Sequence, residues 1–112
     1  MSLNIKEKYG LLINNEWVPA SDGAEFAVYN PANGDQLAIC AEATQADVDK
    51  AVEVATEAFK TWKHVSQVDR ADYLLKIADA IDAHKEHLAQ VETYDNGKPI
   101  RETLNVDIPL GA

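Results

Sequence analysis

The sequence has few of the residues that build several common kinds of site. Its 112 residues include one cysteine, four prolines and five glycines. The single cysteine, Cys40, cannot form an internal disulfide, which excludes a small disulfide-stapled scaffold and favours a reducing, cytoplasmic setting. The glycines are too dispersed for a G-x-G-x-x-G or Walker loop, so a complete phosphate-binding loop is excluded.

Basic residues and long apolar runs are also scarce. Ten Lys plus Arg stand against nineteen Asp plus Glu, for a formal net charge of -9. This charge repels a phosphate backbone and an anionic membrane surface, so we predict no nucleic acid and no membrane as partners. The stretch from Met1 to Tyr9 lacks the apolar segment of a signal peptide, and no run approaches transmembrane length.

The first half of the chain carries a pattern of short strands. Leu11–Ile13 and Glu16–Val18 flank two asparagines that tolerate positive φ, which predicts a tight hairpin. Apolar runs at 26–29 and 37–40 flank a turn-forming segment and predict a second hairpin. We assign 1–10 as a polar lead-in, 11–42 as the two β-hairpins and 44–112 as the helical part.

The helical part contains two N-cap pairs, Thr44 with Asp47 and Ser66 with Asp69. The short link at 63–65 predicts that the two long helices are antiparallel neighbours. We expect the second helix to reach Tyr94. One apolar stripe follows the first cap at helical spacing and requires a cover; it contains Val48, Ala51, Val52, Ala55, Phe59 and Trp62.

The helical part should end in an incomplete third helix. Asp95-Asn96-Gly97-Lys98-Pro99 is typical of a helix end followed by a new start. The third helix is predicted from Pro99, with Pro109 expected to kink or stop it.

Two groups of residues suggest chemistry when read alone. Cys40 could be a nucleophile, but its neighbours are apolar or acidic, so we interpret it as a small strand residue. His84 and His87 are three positions apart and could share a metal ion. No third ligand is evident, so a solvated helix face is the preferred interpretation.

Several phrases occur in the order and spacing of one family's opening segment. They extend over Leu11 to Leu110 and are Leu12–Trp17, Tyr29–Gly34, Ala41–Thr44, Asp47–Val52 and Glu92–Pro99. Each phrase alone is weak, but five in order are specific. The chain resembles the N-terminal segment of the aldehyde dehydrogenase family. The resemblance implies an α+β fragment that belongs to the α/β cofactor-binding domain of the parent fold.

The resemblance also implies a function for the parent protein. Such enzymes oxidise an aldehyde to a carboxylic acid with NAD or NADP, using a cysteine and a glutamate that lie beyond position 112. We therefore expect this chain alone to be inactive and to bind neither cofactor tightly. Its expected partner is the remainder of the enzyme chain, within a homo-oligomer; the aldehyde and the choice between NAD and NADP stay open.

One site is carried over from the family residue by residue. Main-chain oxygens of Val28 and Tyr29, with the carboxylate of Asp95, would contribute to a structural monovalent cation site. A plain helix-end role for Asp95 is the alternative.

A second hypothesis comes from a different class of protein. The chain could be a free-standing acidic helical hairpin that binds a protein partner through the stripe from Val48 to Trp62.

Overall fold

The computed structural model describes residues 3–112, which form two compact units. One unit contains the described residues up to 5, together with 29–37 and 66–112; the other contains 6–28 and 38–65. Small sheets and several helices make the chain α+β, as predicted. In the described part of the chain, no helix combines the length and apolar character needed to span a bilayer.

Five short strands occupy the first part of the chain: β1 Lys8–Tyr9, β2 Leu11–Ile13, β3 Glu16–Val18, β4 Glu25–Tyr29 and β5 Gln36–Ala41. β2 and β3 form an antiparallel hairpin in which Leu12 lies opposite Trp17. Its turn residues Asn14 and Asn15 have φ of 54° and 61°. Asparagine tolerates this left-handed conformation, which matches the twist of a two-residue hairpin turn, so the first predicted hairpin is confirmed.

The other three strands form one sheet in the order β1-β5-β4. The turn between β4 and β5 is closed by Asn30 N–H donating to the Asp35 carbonyl at 2.8 Å. A connection this short requires antiparallel strands, which confirms the second hairpin. β1 lies in the predicted polar lead-in and pairs in parallel with β5, with Lys8 opposite Ile39. This strand was not predicted, because its partner is distant in sequence.

The helices are α1 Gln45–Trp62, α2 Gln67–Ala83, α3 Lys85–Asn96, α4 Ile100–Glu102 and α5 Ile108–Gly111, with a π-helical turn at Thr103–Asp107 between the last two. Thr44 and Ser66 are the N-caps of α1 and α2, as predicted. The antiparallel pairing of these two helices stays a prediction, because α1 and α2 belong to different units.

The prediction of one helix from Ser66 to Tyr94 is wrong, because the chain breaks at His84 into α2 and α3. His84 has φ -110° and ψ 13°, outside the helical region. Its ring Nδ1 lies 2.8 Å from the Ala80 carbonyl oxygen, which also accepts the His84 backbone N–H at 3.2 Å. Side-chain bonds of this kind compete with regular helix bonding. The apolar pattern of the sequence continues through the break, so the pattern gave no indication that α2 ends at this point.

Pro109 disturbs the third helical segment without stopping it. A proline lacks an N–H and its ring clashes with the carbonyl four residues earlier, here that of Asn105. The π-helical turn precedes Pro109 directly, and Ile108 N–H donates to the carbonyl of Thr103, five residues back. The wider turn accommodates the proline, and α5 continues to Gly111.

The buried apolar residues of the described chain are small. They are Ala20, Ala38 and Ala89. Many large apolar side chains of the helices are more than two-fifths exposed; those of α1 and α2 are Val48, Val52, Phe59, Trp62, Val68, Tyr73, Leu74, Leu75 and Ile77. The helices therefore have apolar faces that the rest of their own unit leaves exposed to solvent.

Candidate functional site

Two of the family-like phrases meet inside one unit. Gly97 ends α3 in the left-handed conformation, with φ 81°, and its N–H donates to the Thr93 carbonyl at 3.0 Å. A Cβ added at Gly97 would lie 3.0 Å from Cγ of Pro31. Asn30 is buried and shapes the turn that contains Pro31, because its side-chain oxygen accepts the N–H of Ala32 at 2.9 Å. Both backbone conformation and space therefore favour glycine at position 97.

The same phrase is fixed to the segment that follows it. Lys98 forms an ion pair with Asp107, and this contact raises the pKa of Lys98 above its ordinary value. The hydroxyls of Thr93 and Thr103 are hydrogen-bonded at 2.9 Å, and Thr103 is fully buried. A satisfied hydroxyl pair and an ion pair hold the end of α3 against the π-helical turn. These bonds fix the position of the backbone and provide no catalytic group.

A single carboxylate, that of Asp47, connects two segments of the other unit. Asp47 is buried at the start of α1 and accepts the backbone N–H of Thr44 at 2.8 Å. Its two oxygens also accept the backbone N–H of Ser21 at 3.2 and 3.1 Å. The bonds from Thr44, followed by those from Ser21, lower the pKa of Asp47 below its ordinary value. The sequence predicted the cap formed by Thr44 and Asp47. The bond from Ser21 was not predicted, because Ser21 lies 26 positions from Asp47 and no local pattern indicates the contact.

The two histidines lie at the junction of α2 and α3. His84 and His87 are exposed and line an open cleft with Asp82 and Glu86. Among residues 3–112, no group of three or more His, Cys, Asp or Glu side chains is arranged to hold a metal ion. The contact of His84 with the Ala80 carbonyl gives its ring a local structural role.

Cys40 lies within β5 and is half-buried. It is opposite Tyr9 of β1 in the parallel register. This is the next-to-last position of the strand, so the cysteine is not itself a helix N-terminal residue, which is one of the settings of a reactive thiol.

The three residues of the predicted cation site lie in regular elements. Val28 is half-buried and Tyr29 is exposed, both in β4, and Asp95 is exposed in the last turn of α3. Val28 belongs to one unit, and Tyr29 and Asp95 belong to the other. The site stays a prediction.

Comparison with known proteins gives the chain its family. The sequence pattern of the aldehyde dehydrogenase family matches residues 17–112. The chain belongs to the aldehyde dehydrogenase family. This confirms the resemblance, and the order of the matching phrases is that of an N-terminal segment of such proteins.

Individual aldehyde dehydrogenases show the extent of the match. The Bacillus subtilis protein DhaS is 49% identical over 102 residues, which are 89% of this chain and 21% of DhaS. An acetaldehyde dehydrogenase of Pseudomonas aeruginosa is 44% identical over 110 residues, 98% of this chain and 22% of that protein. An aldehyde dehydrogenase of Bacillus cereus, solved as an NAD+ complex, aligns with a TM-score of 0.88 and 44% identity over 95% of this chain and 22% of that chain. The chain spans about a fifth of these relatives' length.

Proposed function

We propose that this chain forms the N-terminal, non-catalytic portion of an aldehyde dehydrogenase whose full-length form oxidises an aldehyde to a carboxylic acid. One observation carries the proposal: the family pattern matches residues 17–112, while the chain spans only about a fifth of the relatives. The Bacillus cereus relative was solved with NAD+. This supports NAD, with NADP as the alternative, as the cofactor of the full-length protein.

We propose that the residues of this chain have a structural role in the full-length enzyme. The family reaction needs an accessible cysteine thiolate and a glutamate that activates water. Cys40 is half-buried near the end of strand β5. The buried polar groups of Asp47 and Thr103 bond to other segments of the same chain and so fix the position of the backbone. We propose that this scaffold belongs to a cytoplasmic homo-oligomer of the full-length enzyme.

An activity assay tests the proposal. The purified chain is mixed with NAD or NADP and a series of aldehydes, and NADH or NADPH absorbance is followed. We expect no rise above buffer and no tight cofactor binding by calorimetry. The Bacillus cereus enzyme is the positive control. A rise with the 112-residue chain that disappears in Cys40→Ser would contradict the proposal.

A second candidate function rests on the exposed stripe of α1. Val48, Val52 and Phe59 are 49%, 59% and 56% exposed. A free-standing interaction module could use this surface for a protein partner. Light scattering behind a sizing column, combined with a thermal melt, separates the two candidates. A cooperative, stable monomer favours the module, whereas self-association or loose folding favours a portion of a larger enzyme.

A further inference from the structure

We propose that Asn33 is a site of spontaneous deamidation and that the structure protects Asn96 from the same reaction. The chain contains two Asn-Gly dipeptides, Asn33-Gly34 and Asn96-Gly97. A glycine that follows asparagine leaves the backbone nitrogen accessible to the asparagine side chain, because glycine has no Cβ. The modification needs neither a cofactor nor a catalytic residue, so it is independent of the proposed function.

Deamidation is an intramolecular displacement of ammonia. The backbone nitrogen of Gly34 loses its proton to solvent base and attacks Cγ of Asn33, and the C–N bond of the side-chain amide breaks. The departing nitrogen takes a proton from water and leaves as ammonia, and a succinimide ring remains. Water then opens the ring at either carbonyl, which yields aspartate or isoaspartate. The product adds one negative charge to a chain whose formal net charge is -9.

The reacting groups have similar local bonds at the two sites. Gly34 N–H donates to the Asn30 carbonyl at 2.8 Å, and Gly97 N–H donates to the Thr93 carbonyl at 3.0 Å. The two glycines have φ of 79° and 81°. Each asparagine side-chain oxygen accepts the N–H of the second residue after it, at 3.0 and 2.7 Å. Both sites must therefore open before the ring can form, and the site that opens more readily reacts faster.

The turn that contains Asn33 is a single, isolated helical turn. The Asn30 carbonyl accepts the N–H of Asn33 at 3.4 Å in addition to that of Gly34, and residues 31–36 are all exposed. One isolated helical turn is marginal, because several residues are fixed for very few hydrogen bonds. A Cβ added at Gly34 would meet no atom of residues 3–112 within 4 Å, apart from its chain neighbours. The Asn33-Gly34 peptide therefore has space to rotate as the ring closes.

Asn96 is the last residue of the 12-residue helix α3. Ring closure would rotate the Asn96-Gly97 peptide out of its helical conformation and break the bond to the Thr93 carbonyl. The space around this peptide is also filled, since a Cβ added at Gly97 would lie 3.0 Å from Cγ of Pro31. The next residue, Lys98, is held by its ion pair. Opening at Asn96 therefore disrupts a helix end and tertiary contacts, and deamidation should be slower there.

The test follows both sites in one sample. The 112-residue chain is kept in mildly alkaline buffer, and samples taken over time are digested. Mass spectrometry then measures, in the peptides that contain Asn33 and Asn96, the mass increase from replacing NH2 by OH. We expect Asn33 to convert at least about tenfold faster than Asn96, the ratio that a modest difference in local opening produces. Equal rates, or faster conversion of Asn96, would overturn the proposal.

Unfolding supplies the control for the structural part of the proposal. In concentrated urea neither turn persists and both asparagines still precede glycine, so the two rates should agree within about threefold. Circular dichroism across a urea series should show that the preference for Asn33 disappears together with the helix signal. A preference of about tenfold that persists in the unfolded chain would mean that neighbouring sequence sets the difference, and would reject structural protection of Asn96.

Two matched substitutions assign the charged product. Isoelectric focusing of the incubated chain should show a more acidic species that increases with time. Asn33→Gln should suppress this species, because glutamine would have to close a larger ring and does so much more slowly. Asn96→Gln changes the second dipeptide in the same way and should leave the species in place. An acidic species that forms at an unchanged rate in Asn33→Gln would overturn the proposal.

Discussion

The starts of α1 and α2 have the same sequence pattern but different structural surroundings. Thr44 with Asp47 and Ser66 with Asp69 are each a hydroxyl residue followed three positions later by aspartate. In α1 the carboxylate is buried and bonds to Ser21 as well as to its own cap. In α2 the carboxylate of Asp69 is exposed and accepts the Ser66 hydroxyl at 2.7 Å.

The difference shows what a cap motif does and does not specify. Both motifs begin a helix, because each hydroxyl accepts the N–H of the aspartate three residues on, at 3.3 Å for Thr44 and 3.1 Å for Ser66. Only Asp47 also fixes a distant loop to its helix. The same local pattern thus starts the helix in α2 and, in α1, both starts the helix and acts as a tertiary clamp between Asp47 and Ser21.

The largest expected effect comes from removing the carboxylate of Asp47, with removal of the Asp69 carboxylate as the comparison. Asp47→Ala leaves the backbone N–H groups of Thr44 and Ser21 without their acceptor in a buried site, so the urea midpoint of unfolding should fall clearly. Asp69→Ala removes one exposed local bond and should shift the midpoint little. Urea titrations followed by circular dichroism measure both. Equal shifts would mean that the clamp has no tertiary role.

Acid should weaken the clamp selectively. The pKa of Asp47 is lowered in the folded chain relative to its ordinary value of 3.8. A lowered pKa means that the carboxylate contributes stability above pH 3.8, and that this contribution is lost as pH falls from 3.8 through the folded-state pKa. Urea midpoints measured across this range should fall more steeply for the wild-type chain than for Asp47→Asn. Parallel curves would contradict this assignment.

The two hydroxyl caps should differ by a smaller amount. Thr44→Ala should lower the free energy of unfolding by about 1–2 kcal/mol, since its hydroxyl serves a partly buried cap. Ser66→Ala should cost about 0.5–1 kcal/mol, at the low end for an exposed cap. Denaturant titration of the two variants side by side checks the order. A greater loss in Ser66→Ala would reverse the comparison.

The smallest effect is expected at Ser21, which serves as a control for the clamp. Ser21→Ala keeps the backbone N–H that Asp47 accepts and removes the hydroxyl, which contacts Thr44 at an exposed position and makes a minor contribution to lowering the pKa of Asp47. We expect a change below about 0.5 kcal/mol in the free energy of unfolding. A loss as large as that in Thr44→Ala would place the clamp in the hydroxyl pair instead of the carboxylate.

Much of the fold was accessible from local patterns. The Asn14-Asn15 turn, the second hairpin, both N-caps and the end of α3 at Gly97 were predicted, because each depends on residues within a few positions of one another. The break at His84 was missed because no glycine or proline marks it. β1 was missed because its strand character comes from pairing with β5.

The sequence by itself determined the family and the positions of most helix and strand starts, since ordered phrases and cap residues are local chemical facts. Tertiary structure alone decided that Ser21 bonds to Asp47, that Pro31 packs on Gly97, and that the early part of α2 remains uncovered. These features join residues that are far apart along the chain or depend on neighbouring elements. Close packing and burial arise only once the backbone brings such groups together.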